Sequence, residues 1–263
     1  MTPKTDIRPL LQVEALVMAF GGVTALMDVH FDVPQGIIKA VIGPNGAGKT
    51  TLFNIITGVL TPSEGQVRFD RQVISRLKPY QIAALGISRT FQTVELFDNL
   101  TVLENIMVGR HMHSRSLFMA CGLRLPAIRR QERQLKTEAQ MILEFIGLGA
   151  KGDVMADNLP LGERKILEIG RALATEPRLI CLDEPAAGLN ETETEAAAQL
   201  IQAIKKRGIT VLLVEHDMNV IMNISDEIMV LNYGEKIAEG TPSQIQCHPK
   251  VVEAYLGDSE CLT

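Results

Sequence analysis

The chain has 263 residues, 46% of them hydrophobic, which is enough to bury the core of one large α/β domain with or without a helical insert. Its formal net charge of −5 argues against a dedicated nucleic-acid-binding protein. No apolar run approaches the roughly 18 residues that span a membrane, and residues 1–10 lack the apolar core of a signal peptide. We therefore expect a cytosolic protein that reaches a membrane only through a partner.

The four cysteines are widely spaced and form no C-x-x-C pair, so neither a zinc site nor a disulfide framework is expected. Cys181 lies inside an apolar run, where a small buried hydrophobic side chain is the simplest interpretation. The complete set is Cys121, Cys181, Cys247 and Cys261.

The first elements have the alternating pattern of β-strands. Residues 11–18 and 24–33 are predicted strands, and 65–70 is a further strand of the same antiparallel sheet. In the second strand the alternation places five apolar side chains on one face: Ala25, Met27, Val29, Phe31 and Val33.

A glycine-rich loop follows the apolar run 37–42, which is typical of a buried parallel strand. The loop fits G-x-x-x-x-G-K-[ST], the phosphate-binding pattern, and a helix begins directly after it. Its nine residues, all predicted to bind nucleotide phosphates, are Gly43, Pro44, Asn45, Gly46, Ala47, Gly48, Lys49, Thr50 and Thr51.

Each residue type in this loop has a physical role. The glycines lack a Cβ, so the backbone can turn with positive φ and aim successive N–H groups at one point. Lys49 supplies a positive charge for the β- and γ-phosphates, and the Thr50 hydroxyl can bind Mg²⁺. The helix dipole favours an anion at the same place.

Further along the chain, a helix is predicted at 79–85 and a strand at 87–91. No strand signal is present between residues 98 and 176. Thr101 and Glu104 are spaced as a capping box at the start of a helix. Residues 127–146 have the periodicity of an amphipathic helix. We interpret this block as a helical subdomain inserted into an α/β core.

Residues 110–136 contain seven positive side chains and one acid. This local reversal of charge is consistent with contact to anionic lipid or to an acidic loop of a partner. A solvated helical face explains it equally well.

The α/β pattern resumes after residue 176. Strands are predicted at 179–183, 210–214 and 225–231, and helices at 162–174, 191–206, 241–246 and 249–256. The strand 179–183 ends in Asp183 and Glu184, at the strand end where ligands of a parallel sheet gather. Asp183 can bind Mg²⁺, and Glu184 can polarise a water molecule for attack on phosphorus.

Three further side chains gain meaning only from these motifs. Gln92 follows a short strand and can contact Mg²⁺ or the attacking water. His216 follows the strand 210–214 and can orient that water. Phe20 precedes two glycines and can stack on adenine, although a lone phenylalanine is more often part of the core.

Taken together, these motifs and their order resemble the ATP-binding subunit of ABC transporters. In chain order they are Phe20, the loop 43–51, Gln92, the segment 159–163, Asp183-Glu184, the segment 187–190 and His216. The resemblance covers residues 11–257. The segment 184–190 and the tail 237–257 are similar to the larger of the two ATPase subunits of branched-chain amino-acid importers.

The resemblance implies a P-loop NTPase core, a mostly parallel sheet flanked by helices, with an antiparallel β-subdomain and an inserted helical subdomain. Residues 1–97 and 177–263 would form the core, and 98–176 the helical subdomain with the signature motif. Two such subunits would face head to tail, with ATP between the phosphate loop of one and the signature of the other.

The same resemblance implies the roles of individual residues. Glu184, His216 and Gln92 would be catalytic. Mg²⁺ would be held by Thr50, Gln92 and Asp183. ATP would be bound by Phe20 and the loop 43–51, and by the signature residues Gly162 and Glu163.

The implied partners are a second ABC ATPase subunit, transmembrane permease subunits and, indirectly, an extracellular or periplasmic solute-binding protein. The chain would lie on the cytoplasmic face of the membrane. Candidate permease contacts are Phe91, Thr93, Val94, Glu95, Leu96 and Phe97, for which core packing is the alternative. Other open functions are urea or amide uptake, lipopolysaccharide export, and a kinase or other P-loop ATPase without transport.

The chain departs from the wider family in two places. The signature, usually L-S-G-G-Q, is Leu159-Pro160-Leu161-Gly162-Glu163 here. Pro160 replaces a serine and has neither a hydroxyl nor an N–H, so a donor to the γ-phosphate of the partner's ATP is lost. The second departure is Asn190, which stands where an acid is usual.

Overall fold

The computed structural model describes residues 9–110 and 126–256, with side chains in the second range from 133 to 255. Within these residues, no helix is both long and apolar enough to cross a bilayer.

An antiparallel sheet contains the first strands of the chain. Its strands are β1 (Pro9–Phe20), β2 (Val23–Pro34), β4 (Glu64–Phe69) and β5 (Gln72–Val73). Their order in the sheet is β2-β1-β4-β5. The predicted strands are confirmed, and β5 is an additional two-residue strand.

The pairing of β1 with β2 has four register shifts, and two of them are bulges with a left-handed residue. Ala15 on β1 and Asp28 on β2 both have left-handed backbone angles, with φ of 47° and 49°. The bulge at Asp28 shifts the alternation, so that Leu26 is fully buried and Met27 is exposed. The prediction that Met27 shares the buried face of Val29 was therefore wrong, because the extra residue reverses the side chains before it.

The second sheet has six strands in the described residues: β3 (Ile38–Ile42), β6 (Ile87–Arg89), β7 (Leu179–Asp183), β8 (Thr210–Val214), β9 (Glu227–Asn232) and β10 (Glu235–Gly240). Their order in the sheet is β10-β9-β3-β8-β7-β6. All pairs are parallel except β9 with β10. The apolar runs predicted as buried strands are buried at every position of β3, β7 and β8. The hairpin strand β10 was not predicted.

Nine helices flank the sheets in the described residues. They are α1 (Lys49–Ile56), α2 (Pro79–Ala84), α3 (Val102–Arg110), α4 (Pro126–Phe145), α5 (Leu161–Leu173), α6 (Glu191–Lys206), α7 (Met218–Ile224), α8 (Pro242–Gln246) and α9 (Pro249–Leu256). The capping box that starts α3 is confirmed, because Thr101 and Glu104 exchange both hydrogen bonds. Short 3-10 turns at 149–151 and 156–158 connect α4 to α5.

The buried side chains form three clusters. The first lies between the antiparallel sheet, α1 and one face of the parallel sheet. The second joins the other face of that sheet to α3–α6, so that Ile180 and Val211 share a core with Leu143 and Leu167. The third packs α7, α8 and α9 against the sheet near β9. The division of the chain at residues 97 and 177 stays a prediction.

The basic stretch 110–136 lies only partly within the described residues, which omit 111–125 and the side chains up to 132. Arg110 does not belong to a free basic face, because it pairs with Glu138 and with Glu176. Arg133 and Lys136 are exposed. Contact of this stretch with lipid stays a prediction.

The bulge on β1 predicts an unusual effect of glycine in a strand. An alanine in the left-handed region costs about 1–2 kcal/mol, and Ala15→Gly removes that cost. The substitution adds a smaller cost, because glycine loses more backbone entropy on folding. We expect the free energy of unfolding to rise by up to about 1 kcal/mol, measured by urea denaturation.

The matched control is Ala19→Gly, also in β1 but without a left-handed angle. This change should lower the free energy of unfolding by about 0.5–1 kcal/mol. Equal destabilisation by both substitutions would contradict the account of the bulge.

Candidate functional site

The register of the parallel strands brings several loops to one edge of the sheet. Val214 at the end of β8 pairs with both Val41 of β3 and Asp183 of β7. The residues that follow these strands therefore start at the same level. This is the arrangement expected for a ligand site at the carboxyl ends of parallel strands.

The phosphate loop is held tightly on both sides. Gly43 has φ of 154°, and a Cβ there would lie 2.1 Å from the carbonyl oxygen of Leu231. Gly48 has φ of 104°, and its Cβ would lie 2.6 Å from the carbonyl oxygen of Ala25. Glycine is thus required by close approach of backbone as well as by the turn.

Lys49 begins α1 and is buried. Its Nζ donates hydrogen bonds to the carbonyl oxygens of Gly43 at 2.6 Å and Pro44 at 3.0 Å. Burial lowers the pKa of Lys49, and the nearby carboxylates of Glu184 and Asp183 oppose that shift. The amine is thus bonded to the loop and lies within electrostatic reach of the two acids at the end of β7.

Asp183 is buried and forms an ion pair with Arg89, at 2.8 Å from Nη2 to Oδ2. The other terminal nitrogen of Arg89 donates to Asn54 Oδ1 at 2.6 Å and to Thr57 Oγ1 at 3.2 Å, in and just after α1. Arg89 thus links the helix of the phosphate loop to Asp183. Arg89 was not among the predicted site residues, because its only signal in the sequence is a charged side chain in a short strand before Gln92.

The three predicted catalytic residues lie together. Gln92 Nε2 donates to Glu184 Oε2 at 3.0 Å. His216 Nε2 lies 2.6 Å from Glu184 Oε1. Glu184 and Asp183 therefore have different partners, since Asp183 pairs with Arg89 instead.

Two buried side chains, both missed by the sequence analysis, hold the segment 91–101 that carries Gln92. Glu168 of α5 accepts a hydrogen bond from the backbone N–H of Phe91 at 3.2 Å. Asn105 of α3 accepts from the N–H of Phe97 at 3.0 Å and donates to its carbonyl oxygen at 3.1 Å. No local spacing predicts these contacts.

A groove of about 400 Å³ lies beside this segment. Phe91 and Phe97 line it and are 45% and 46% exposed. Leu96 instead packs against the second core cluster and is half-buried. For Leu96 the structure therefore favours the alternative of core packing, whereas Phe91 and Phe97 remain candidates for a permease contact.

Phe20 ends β1 and is 47% exposed, which argues against core packing. The signature residues make their contacts on the helical side of the molecule. A Cβ on Gly162 would lie 2.7 Å from Glu193 Oε1, and Glu163 pairs with Lys151 at 2.6 Å. Leu161, the first residue of α5, is 49% exposed.

Asn190 has a local structural role. Its side-chain oxygen accepts a hydrogen bond from the backbone N–H of Glu193 at 3.0 Å, and the Glu193 carboxylate accepts from the N–H of Asn190 at 3.0 Å. This reciprocal pair caps α6. An asparagine serves this position as well as an aspartate.

Comparison with known proteins agrees with this geometry. Residues 26–187 match the protein-family model described as ABC transporter, and residues 235–260 match the model described as branched-chain amino acid ATP-binding cassette transporter. The chain is 44% identical over 253 residues to the high-affinity branched-chain amino acid transport ATP-binding protein BraF of Pseudomonas aeruginosa, covering 96% of this chain and 99% of BraF. It is 43% identical to LivG of Escherichia coli over 253 residues, with the same coverage.

Solved structures are similar in fold. A nucleotide-free ATP-binding cassette from an ABC transporter superposes with a TM-score of 0.83 at 36% identity, covering 95% of this chain and 100% of that one. A dimeric bacterial ABC transporter cassette gives a TM-score of 0.75 at 25% identity, covering 88% and 98%.

The chain therefore belongs to the ABC transporter family and, within it, to the branched-chain amino acid transport ATP-binding proteins. The fold class predicted from the sequence is confirmed. The chain is an ABC-type ATPase.

Burial of Glu168 predicts a pH-dependent effect on stability. Burial raises the pKa of this carboxyl above its ordinary value of 4.5, and the N–H groups of Phe91 and Glu95 only partly oppose the shift. The folded state therefore loses stability as pH rises through the raised pKa. Glu168→Gln keeps an oxygen for Phe91 and removes the charge.

We expect the stability of Glu168→Gln, relative to the unchanged chain, to improve as pH rises from 4.5 to 8. Urea denaturation at several pH values measures this difference. A relative stability that falls with pH would contradict the inferred shift.

Proposed function

We propose that this chain is the ATP-hydrolysing subunit of an importer for branched-chain or related amino acids. The single observation that carries the catalytic part is the contact of Glu184 with both Gln92 and His216 beside the phosphate loop. The solute class is supported by the named relatives and by the C-terminal family match.

The residues present fit ATP and Mg²⁺. The positive φ angles of Gly43, Gly46 and Gly48 suit a loop whose backbone N–H groups cradle phosphates. The Thr50 hydroxyl, the Gln92 amide oxygen and the Asp183 carboxylate are the oxygen ligands that Mg²⁺ prefers. When bound, Mg²⁺ would neutralise charge on the β- and γ-phosphates.

The present hydrogen-bond partners of the site residues indicate the role of each in hydrolysis. Lys49 would exchange its two carbonyl partners for phosphate oxygens. Glu184 would accept a proton from the attacking water, while His216 and Gln92, its present neighbours, fix its orientation. The exposed ring of Phe20 would stack on adenine.

The signature would complete the site of a second ATPase subunit. Gly162 and Glu163 lie at the start of α5, whose dipole favours a phosphate of the partner's ATP. The dimeric cassette that superposes on this chain supports a pairing of two such subunits.

The groove beside Phe91 and Phe97 would receive the permease. Exposed aromatic side chains around an apolar groove suit a docking helix. The chain would then lie at the cytoplasmic face of the membrane, with a solute-binding protein acting through the permease. The identity of the permease is an open part of the proposal.

Glu184→Gln tests the catalytic base. The amide cannot take a proton, so we expect ATP hydrolysis to fall at least about 100-fold while ATP binding stays within about twofold. ATP-trapped dimers should accumulate, measured by size-exclusion chromatography. Turnover close to that of the unchanged chain would remove Glu184 from this role.

Pro160→Ser tests the atypical signature. A serine restores a hydroxyl toward the partner's γ-phosphate, so we expect hydrolysis in the assembled transporter to rise several-fold. Serine also caps α5, and a thermal melt separates that effect. A higher melting temperature without faster hydrolysis would contradict the lost-donor interpretation.

A further inference from the structure

The backbone of Glu184 is held in an unusual conformation. Its φ is 51°, in the left-handed region that non-glycine residues rarely adopt. Its N–H donates to the carbonyl oxygen of Val214 at 2.8 Å, and its own carbonyl oxygen accepts from Lys165 Nζ at 2.8 Å. A strained residue at a reactive site persists only where its surroundings hold it.

Lys165 reaches this carbonyl from within α5 and is buried. Burial lowers the pKa of its amine, and the carboxylates of Glu215, Glu168 and Glu184 oppose that shift. Burying an amine costs free energy because it loses its hydration. The charge-assisted hydrogen bond that it donates to a backbone oxygen is strong, so it holds that oxygen in place.

Glu215 supplies a second anchor under the same turn. It is buried, and its two carboxylate oxygens accept from the N–H of Ala186 at 2.6 Å and from its neighbour His216 N–H at 3.0 Å. One carboxylate thus joins the turn after β7 to the turn after β8. These turns carry Glu184 and His216.

We propose that Lys165 is a positioning residue that holds the turn of Glu184, with Glu215 as its counterpart, and that it links the two ATP sites of the transporter. The link rests on the proposed function, in which the start of α5 faces the partner's ATP. Lys165 lies one helical turn after Leu161, on the same rigid element. Closure of the partner's site on α5 is transmitted through Lys165 to the carbonyl of Glu184.

The test is ATP hydrolysis by the assembled transporter in liposomes, with Lys165→Met in this subunit. Methionine has a similar length and no donor. We expect kcat to fall about tenfold, with KM for ATP within twofold, because the amine of Lys165 is bonded to the backbone of Glu184 and its role is to position that turn. The Hill coefficient for ATP should fall toward one, since the link between the sites is removed.

Two further variants separate positioning from general damage. Lys165→Arg keeps a donor and should recover kcat to within about threefold. Lys236→Met removes a lysine that pairs with Glu239 in β10 and should leave kcat unchanged. A kcat for Lys165→Met equal to that of the unchanged transporter overturns the proposal.

The outcomes are distinct. The link between the sites is overturned if Lys165→Met lowers kcat but leaves the Hill coefficient unchanged. It is also overturned if the transporter without substitutions shows no cooperativity for ATP. A lower kcat that Lys165→Arg does not recover overturns the positioning role. If the transporter without substitutions hydrolyses no ATP, the proposed function itself is contradicted.

If circular dichroism shows that Lys165→Met does not fold, the same hydrolysis assay with Glu215→Gln tests whether the turn of Glu184 must be held. The amide keeps one acceptor and loses the other, so the Ala186 or His216 N–H is released. We expect a lower kcat with KM within twofold. An unchanged kcat for a folded Glu215→Gln overturns the proposal.

Discussion

The site depends on the register of three parallel strands. Because Val214 is level with both Val41 and Asp183, the phosphate loop and the two acids begin at one height of the sheet. The strands themselves are buried on both faces, so a slip of one residue would exchange their side chains between the two core clusters and disrupt the packing of both. The geometry of the site is thus fixed by hydrophobic packing far from any phosphate.

Buried charges beneath that edge refine the geometry. Arg89 is paired with Asp183, and Lys165 and Glu215 are bonded to backbone groups of the adjacent turns. Removing one member of such a set leaves another buried charge or donor without a partner, which is strongly destabilising. These groups stiffen the surroundings of Glu184 rather than add to net stability.

The sequence predicted the elements with a local signal: the phosphate loop, the acids at the end of β7 and the capping box at Thr101. Gln92, Glu184 and His216 were assigned a shared role through the resemblance to ABC transporters, and the structure brings them together because each follows a parallel strand. Contacts such as Lys165 with Glu184 were missed, since no spacing or periodicity marks them. The bulge at Asp28 escaped notice for a similar reason, because it depends on the pairing of two strands.

The most direct test is a structure of the assembled transporter with Mg²⁺ and a non-hydrolysable ATP analogue. We predict that Lys49 Nζ leaves the carbonyl oxygens of Gly43 and Pro44 and contacts the β- and γ-phosphates. A water molecule should lie between Glu184 and the γ-phosphorus. Phosphates bound away from the loop 43–51, or Glu184 turned away from the γ-phosphate, would contradict the proposed roles of Lys49 and Glu184.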